Sequence, residues 1–391
     1  MSFALRVLAL VYFWQFAAMG ALLPFLPPYL ENRGFSHSDI GWLLACMTAL
    51  RVVAPTIWGY IADRTGARVR VVQIGLLGAG SAVLTLEQAQ TFSTFATLLM
   101  VYGALSAAIL PQIETITVDA LGDEPKRYGE VRLWGSVGFV LSVVASGYLV
   151  ERFGQHWLIA IVVGCQALTL ATLAFFPAQA RRHSVDGGLE RAGLSQILRR
   201  KHVVVFFGVA LLMSASHAPY YGFFAIQMNG LGHGQTVIGA LWAIAVITEI
   251  GLFSQSQRIL SMFTIRVGLI LVFAVSAARW VGTGLWAGEL WVSWIFQAAH
   301  AISFGLFHAL SIEFIRSAFP PHAHGRGQAL YTSISFGVGG AIGAASAGVL
   351  WENHGALAAY LAAAIACALA GALVAATFPS RAPLSTEPKE R

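Results

Sequence analysis

The stretch Gly59–Arg70, GYIADRTGARVR, follows LLACMTALRVVAPTIW (43–58), sixteen residues whose single charge is Arg51. A run this apolar that ends in Asp63, Arg64, Arg68 and Arg70 marks the point where a chain leaves hydrocarbon for water. Gly59 permits close approach of a neighbouring helix. Gly66 permits a tight turn.

The whole chain repeats that contrast. Of its 391 residues 57% are hydrophobic and 11% charged, and the mean hydropathy is +0.70. A soluble domain carries about 25% charged residues, so lipid is the solvent here. The 40 Gly and 11 Trp agree, since Gly is tolerated in spanning helices and Trp gathers at membrane interfaces. Cys46, Cys165 and Cys367 each sit inside an apolar run, with no CxxC and no His at ligand spacing. They read as core-filling thiols, and neither a disulfide framework nor a metal site is expected.

Arg6 followed by VLALVYFW resembles the start of a signal peptide, but the apolar stretch runs on to about Tyr29, too long for a cleaved segment. It is read as the first span. A window of about 20 apolar residues then gives twelve spans: 6–30, 38–61, 70–89, 93–119, 130–150, 156–176, 202–228, 235–260, 264–283, 287–314, 327–351 and 355–378. The expected fold is therefore an all-α integral membrane protein of twelve transmembrane helices in two six-helix bundles. The bundles are 1–176 and 202–378, joined by a polar linker at 177–201 and followed by a tail at 379–391.

Orientation follows from the loops. With the amino terminus in the cytoplasm, twenty of the 24 Lys and Arg face that side, as the positive-inside rule requires. Both termini are then cytoplasmic and the membrane is the bacterial inner (plasma) membrane. The formal charge of +6 is spread along the chain as this topology signal, and no nucleic-acid partner is expected.

The positive-inside rule explains the arginines of 59–70 but not Asp63 or the glycines. Gly59-x-x-x-Asp63-Arg64-x-Gly66-x-Arg68-x-Arg70 resembles the loop 2–3 signature of the major facilitator superfamily. That resemblance implies a gate formed by Gly59, Asp63, Arg64, Gly66 and Arg68. The Asp would latch the cytoplasmic side shut against the amino end of the eleventh span, near Gly325-Arg326-Gly327.

Ionisable residues inside spans are functional candidates by default. They are Arg51, Glu114, His217, Glu249, Arg279, His300 and His308. Counting at 1.5 Å per residue puts Arg51, Glu249 and His300 near the midplane. Glu114 lies toward the inner side, with Arg132 as its natural structural pair. Asp119, Glu130 and Glu313 lie nearer the cytoplasmic ends and read as solvated or paired. Trp242 shares a helix face with Glu249, and Tyr221 with His217. For each His, a hydrogen-bonded packing role competes with a functional one.

Further stretches resemble the phenylpropionate permease family and, more loosely, nucleoside–proton symporters. They are YGEVRLWGSVGFV (128–140), SHAPYYGFFAI (216–226), Gly239 through Trp242 to Glu249, Ala278-Arg279-Trp280, Gln297 to His300, and Gln328 to Tyr331. The set Glu114, Arg132, Glu249, Arg279 and His300 is also similar to the charged set of lactose–proton symporters. Those carry a second acid one turn after the histidine of span ten, where this chain has Ser303. The difference shifts the proton site toward Glu249 or Glu114.

These resemblances imply a monomeric secondary transporter with protons as coupling ion and no other cofactor, embedded in membrane lipids. Its proton-coupling residues would be Glu249, Glu114 and His300. Arg51, Arg279, His217, Tyr221 and Trp242 would bind substrate. The substrate is expected to be an aromatic monocarboxylate, since an anion needs a midplane cation and rings stack on rings. Nucleosides and sugars are the alternative substrates. A membrane-embedded enzyme or sensor finds no support, as HExxH, GxSxG and GxxxxGK are all missing. If Asp63 is a latch, Asp63→Asn abolishes net transport and leaves folding intact. Site-directed labelling then shows greater exposure of the cytoplasmic cavity, and unchanged transport would remove the latch role.

Overall fold

The computed structural model describes residues 2–122, 124–177 and 194–379, so most of the linker and nearly all of the tail lie outside the described residues. Within them the chain is helical almost throughout, with no strand. Ten helical stretches are long and apolar enough to cross a membrane.

In the first half of the chain, α1 spans Phe3–Asn32. α2 (His37–Ala49) and α3 (Ala54–Thr65) meet at the 3-10 turn Leu50–Val52. α4 (Arg68–Thr85) leads to α5 (Phe92–Ser106) and α6 (Ile109–Leu121), then α7 (Tyr128–Phe153) and α8 (Trp157–Ala174). The short α9 (Leu194–Leu198) precedes α10 (Lys201–Ser216), α11 (Ala218–Gly230), α12 (Gln235–Ser254) and the short α13 (Ser256–Ser261). α14 (Ile265–Trp286) is continuous although Arg279 interrupts its apolar run. α15 (Leu290–Ala298), α16 (Phe307–Ala318), α17 (His324–Thr332) and α18 (Gly340–Thr377) complete the order.

Local chemistry sets these boundaries. Ser36 caps α2 reciprocally with Asp39, the side chain of each accepting the other's backbone N–H. Gly66 ends α3 in the left-handed region, φ 63°, where only glycine is free of strain. α4 opens with Arg68 and Arg70 and is not one of the ten apolar stretches. The stretch Pro321–Thr377 is one of the ten, but its chain turns at Gly355 with φ 80° and ψ 176°.

Several spans expected as single helices are interrupted near mid-length. Pro55 follows the break between α2 and α3, and Pro219 follows that between α10 and α11. Each removes a backbone donor that a continuous helix needs. π-helical turns at Ala301–Leu306 and Ser333–Gly339 interrupt two more. Such turns leave backbone and side-chain groups free to bind something other than the helix itself.

α1 is the most enclosed of the ten stretches and packs along α7 and α8. Contact with α7 is backbone to backbone, because a Cβ on Gly138 would lie 2.8 Å from the Phe13 carbonyl carbon. Outward-facing Ile74, Leu141, Ile365 and Leu369 are each more than half exposed, as a surface solvated by lipid tails allows. Gly138→Leu is expected to cost about 1–3 kcal/mol through overpacking and to lower the unfolding temperature in detergent. Gly208, which has nothing within 4 Å of a built Cβ, is the control, and Gly208→Ala leaves that temperature unchanged or raised.

Candidate functional site

The helix interruptions bring a polar cluster together from α10, α11, α12, α14 and α15. Arg279 lies on α14, 1% exposed. Arginine keeps its charge at any accessible pH, so burial obliges the surroundings to supply acceptors. Its Nε donates to the Phe296 carbonyl at 2.8 Å. Nη1 donates to Ser303 Oγ at 2.9 Å and to His300 Nδ1 at 3.2 Å, and Nη2 to Gln297 Oε1 at 3.4 Å. The rings of Trp280 and Tyr220 lie 4.4 and 4.7 Å from the guanidinium carbon, within cation–π range. No carboxylate pairs with Arg279 among the described residues.

These contacts assign the state of His300. A guanidinium has no acceptor, so Nδ1 of His300 carries the lone pair and its proton sits on Nε2. Nε2 faces Glu249 Oε2 across 3.9 Å. Arg279, His300 and Glu249 therefore form a line in which the imidazole separates the fixed cation from the carboxylate. Phe304 stacks on His300 at 5.2 Å, with planes 7° apart, and holds the ring edge-on to both neighbours.

His217 lies at the break between α10 and α11, where its Nδ1 donates to the Met213 carbonyl at 2.9 Å. Its buried Nε2 has no partner, nor does Trp242 Nε1. One acceptor and one donor on residues of the cluster are thus unused, as are buried atoms elsewhere such as Ser146 Oγ and Gln166 Oε1. Trp242 stacks on Tyr220 at 4.6 Å, and Tyr221 lies 5.8 Å from Trp242 and 5.9 Å from His217. His217 and Tyr221 also line a small cavity closed by Phe304, Tyr331 and Phe336.

The remaining expected residues lie elsewhere. Arg51 occupies the turn between α2 and α3 and interacts electrostatically with Tyr102. Arg51 stands ten residues after Gly41 and Glu249 ten after Gly239, yet the first lies in a broken helix and the second in a continuous one. The expected pairing of Glu114 with Arg132 is not a salt bridge. The two interact electrostatically, but the Arg132 guanidinium rests 4.1 Å from the Phe16 ring centroid. Arg132 also interacts with Glu249 and His308, so one N-terminal-half cation serves carboxylates of both halves. Asp63 accepts from Arg68 at 2.6 Å, Arg68 also donates to Gln112 Oε1 at 2.9 Å, and Arg64 donates to Tyr60 at 2.7 Å. Gly59 has open space around it.

Ser303, Gln297 and the Phe296 carbonyl were not foreseen as partners of Arg279. The available signal was Arg279 itself, a charge that a midspan position commits to finding several acceptors.

The family model described as MFS_1 like family matches residues 5–362. The chain is 27% identical to the probable 3-phenylpropionic acid transporter of Escherichia coli over 89% of its own length and 91% of the relative's. It is 26% identical to the maltose permease of Geobacillus stearothermophilus over 85% and 84%. A crystal structure of the nucleoside transporter NupG superposes with TM-score 0.86 at 15% identity, covering 96% of this chain and all of that one.

Arg279→Lys tests the cluster. A lysine keeps the charge but cannot reach Phe296 O, Ser303 and His300 together, and each charge-assisted hydrogen bond lost costs about 1.5–3 kcal/mol. The expected result is a lower unfolding temperature and loss of transport, with Ser303→Ala showing the same effects at smaller size. Full activity in Arg279→Lys would show that the fork geometry is dispensable.

Proposed function

The chain belongs to the MFS_1 like family of major facilitator transporters, and we propose that it is a proton-coupled importer of a small organic anion, an aromatic monocarboxylate such as phenylpropionate. It is a multi-pass membrane protein and a transporter rather than an enzyme. Its proposed architecture has twelve spans, reached by counting α4 and by dividing Pro321–Thr377 at Gly355. The spans form two six-helix bundles, with the 59–70 face in the cytoplasm and the bacterial inner membrane as location. Alternating access then proceeds around the Arg279 cluster.

One observation carries the substrate reading. Arg279 is a buried cation whose hydrogen-bond acceptors are all neutral. A substrate carboxylate entering the cluster meets an uncompensated positive field, the Trp242 N–H as donor, and the rings of Tyr220, Tyr221 and Trp242 as a stacking surface. The phenylpropionic acid transporter among the relatives supports this reading. A nucleoside or sugar is the second reading, supported by the same rings and by the maltose and nucleoside transporters among the relatives and folds.

Coupling is assigned to Glu249. It is a carboxylate within α12, and His300 Nε2 lies 3.9 Å from its Oε2, near enough to serve as a relay. The proton loads from one face with substrate and leaves toward the other as the cavity reopens. Arg132, from the opposite half of the chain, supplies the counter-charge once Glu249 has released its proton. Glu114 and Arg51 complete the proposed set.

Uptake into proteoliposomes under an imposed proton gradient tests both parts. Phenylpropionate should accumulate, while phenylpropionamide, uridine and maltose should not. Accumulation of uridine or maltose alone would select the second reading. Glu249→Gln should keep substrate exchange, which needs no proton cycling, and lose accumulation against a gradient. Normal pH-dependent accumulation in Glu249→Gln would move coupling to Glu114 or His300.

A further inference from the structure

The face opposite the 59–70 stretch carries one short sequence twice. α7 closes with Gly147-Tyr-Leu-Val-Glu151-Arg-Phe-Gly154, and the first segment of α18 closes with Gly348-Val-Leu-Trp-Glu352-Asn-His-Gly355. Both read Gly-x-Leu-x-Glu-x-x-Gly. The terminal glycines share a backbone conformation, φ 100° and 80° with ψ 163° and 176°. Opposite them, the chain turns at Gly34 and Gly232, φ 84° and 86°, and then enters α2 and α12. Each of those helices has an Ile-Gly pair in its first turns, Ile40-Gly41 and Ile238-Gly239. α7 packs on α12, and α18 packs on α2, so each pairing joins the two halves of the chain.

The two glutamates do the same thing in the two pairings. Glu151 Oε2 accepts the backbone N–H of Thr236 at 2.7 Å. Glu352 Oε2 accepts the backbone N–H of His37 at 2.8 Å and lies 3.2 Å from its Nδ1. Each carboxylate therefore satisfies an orphan donor in the first turn of a helix from the other half, where the helix dipole favours an anion. One turn away the backbones touch. A Cβ on Gly348 would lie 2.6 Å from the His37 carbonyl oxygen, and one on Gly239 2.5 Å from that of Val143. With Ile40-Gly41 set on Ile238-Gly239, His37 matches Gln235 and Thr236 matches Ser38, so the accepted amides differ by one position, and the surroundings of the carboxylates differ too. His37 stands between Glu352 and Glu31, 3.5 Å from the latter, while the Glu151 copy has Gly234, where a Cβ would meet the carboxylate at 2.5 Å.

We propose that Glu151 and Glu352 form a duplicated latch that holds this face closed, and that both must leave their helix starts before the two halves separate. Both side chains are solvent-accessible, Glu352 being 40% exposed. Water can thus replace the helix N–H groups during opening without stranding a buried charge. The inference adds to the transporter reading a gate for the face opposite Asp63. It holds whatever the substrate or coupling ion.

Spin labels at Gln88→Cys and His354→Cys, on a background with the native cysteines replaced by serine, report the separation across this face. Gln88 lies in the loop whose Glu87 and Ala89 carbonyls accept from Arg33, beside the start of α2. The parent protein should give one short distance by pulsed electron resonance. Glu151→Ala and Glu352→Ala should each raise the ratio of separated to closed molecules about tenfold, the effect of one lost charge-assisted hydrogen bond. The double variant should exceed either. Glu151→Gln with Glu352→Gln keeps the shape, serves if the alanine variants do not fold, and should shift the ratio in the same direction by less. An unchanged distribution in the folded double variant, alanine or glutamine, would overturn the latch. Opening by only one of the two single variants would overturn its duplication. The readout is a distance in the absence of substrate, so it stands apart from any failure of the transport assignment.

Discussion

A guanidinium that cannot discharge is held in the middle of an apolar protein, and much of the second half of the chain is arranged around that fact. Arg279 is 1% exposed, and leaving its donors unmet costs far more than any single packing contact returns. Most carbonyls of a regular helix already accept an N–H four residues on, so acceptors for a buried cation are scarce. The interruption after α15 changes that. Phe296 lends its carbonyl, and the π-helical turn that follows sets Ser303 Oγ and His300 Nδ1 on the same Arg279 nitrogen. The end of α15 and the turn after it thus supply three of the acceptors that the buried charge requires.

The same arrangement divides labour among charges that look equivalent by position. Arg51 and Glu249 occupy matching places ten residues past Gly41 and Gly239, but only Glu249 lies within reach of the cluster. Arg51 sits beside Tyr102, in a turn whose Val52 carbonyl accepts from Ser333 across the two halves. Its broken helix meets the second π-helical turn there. Near the cluster, Arg132 crosses between halves electrostatically, lying on Phe16 and interacting with Glu114, Glu249 and His308. A cation resting on a ring is held by a broad, shallow attraction.

Ten apolar stretches were legible because hydropathy depends on composition over about 20 residues, whereas Arg68–Thr85 is not among them and the last two expected spans lie in the single stretch Pro321–Thr377. The turn at Gly66 was legible because a left-handed residue demands glycine. The helix breaks were not. Pro55 and Pro219 were visible, but proline inside a spanning segment is tolerated often enough to carry little weight. The π-helical turns have no residue signature at all. Ser303 was noticed only as the place where an acid is missing, since pairing it with Arg279 needs a geometry that no spacing rule contains. The Gly-x-Leu-x-Glu-x-x-Gly repeat was present in the letters, yet three residue types over eight positions gain meaning only once α7 and α18 are seen against α12 and α2.

The two faces are built on different chemistry, and the difference bears on how such a protein moves. On the 34–41 face the halves meet through backbone contact at glycines, with one carboxylate on each opposing helix start. That contact is short-ranged, so it is lost within a small displacement. On the 59–70 face, Asp63 is engaged by Arg68 of its own half, and Arg68 also reaches Gln112 of α6. An exposed ion pair is worth little in stability, about 0–1 kcal/mol. It places Asp63 and, through Gln112, ties α3 and α4 to α6. The contacts between the halves, α2 with α18 and α7 with α12, are extensive, so any opening of the 34–41 face has to break them.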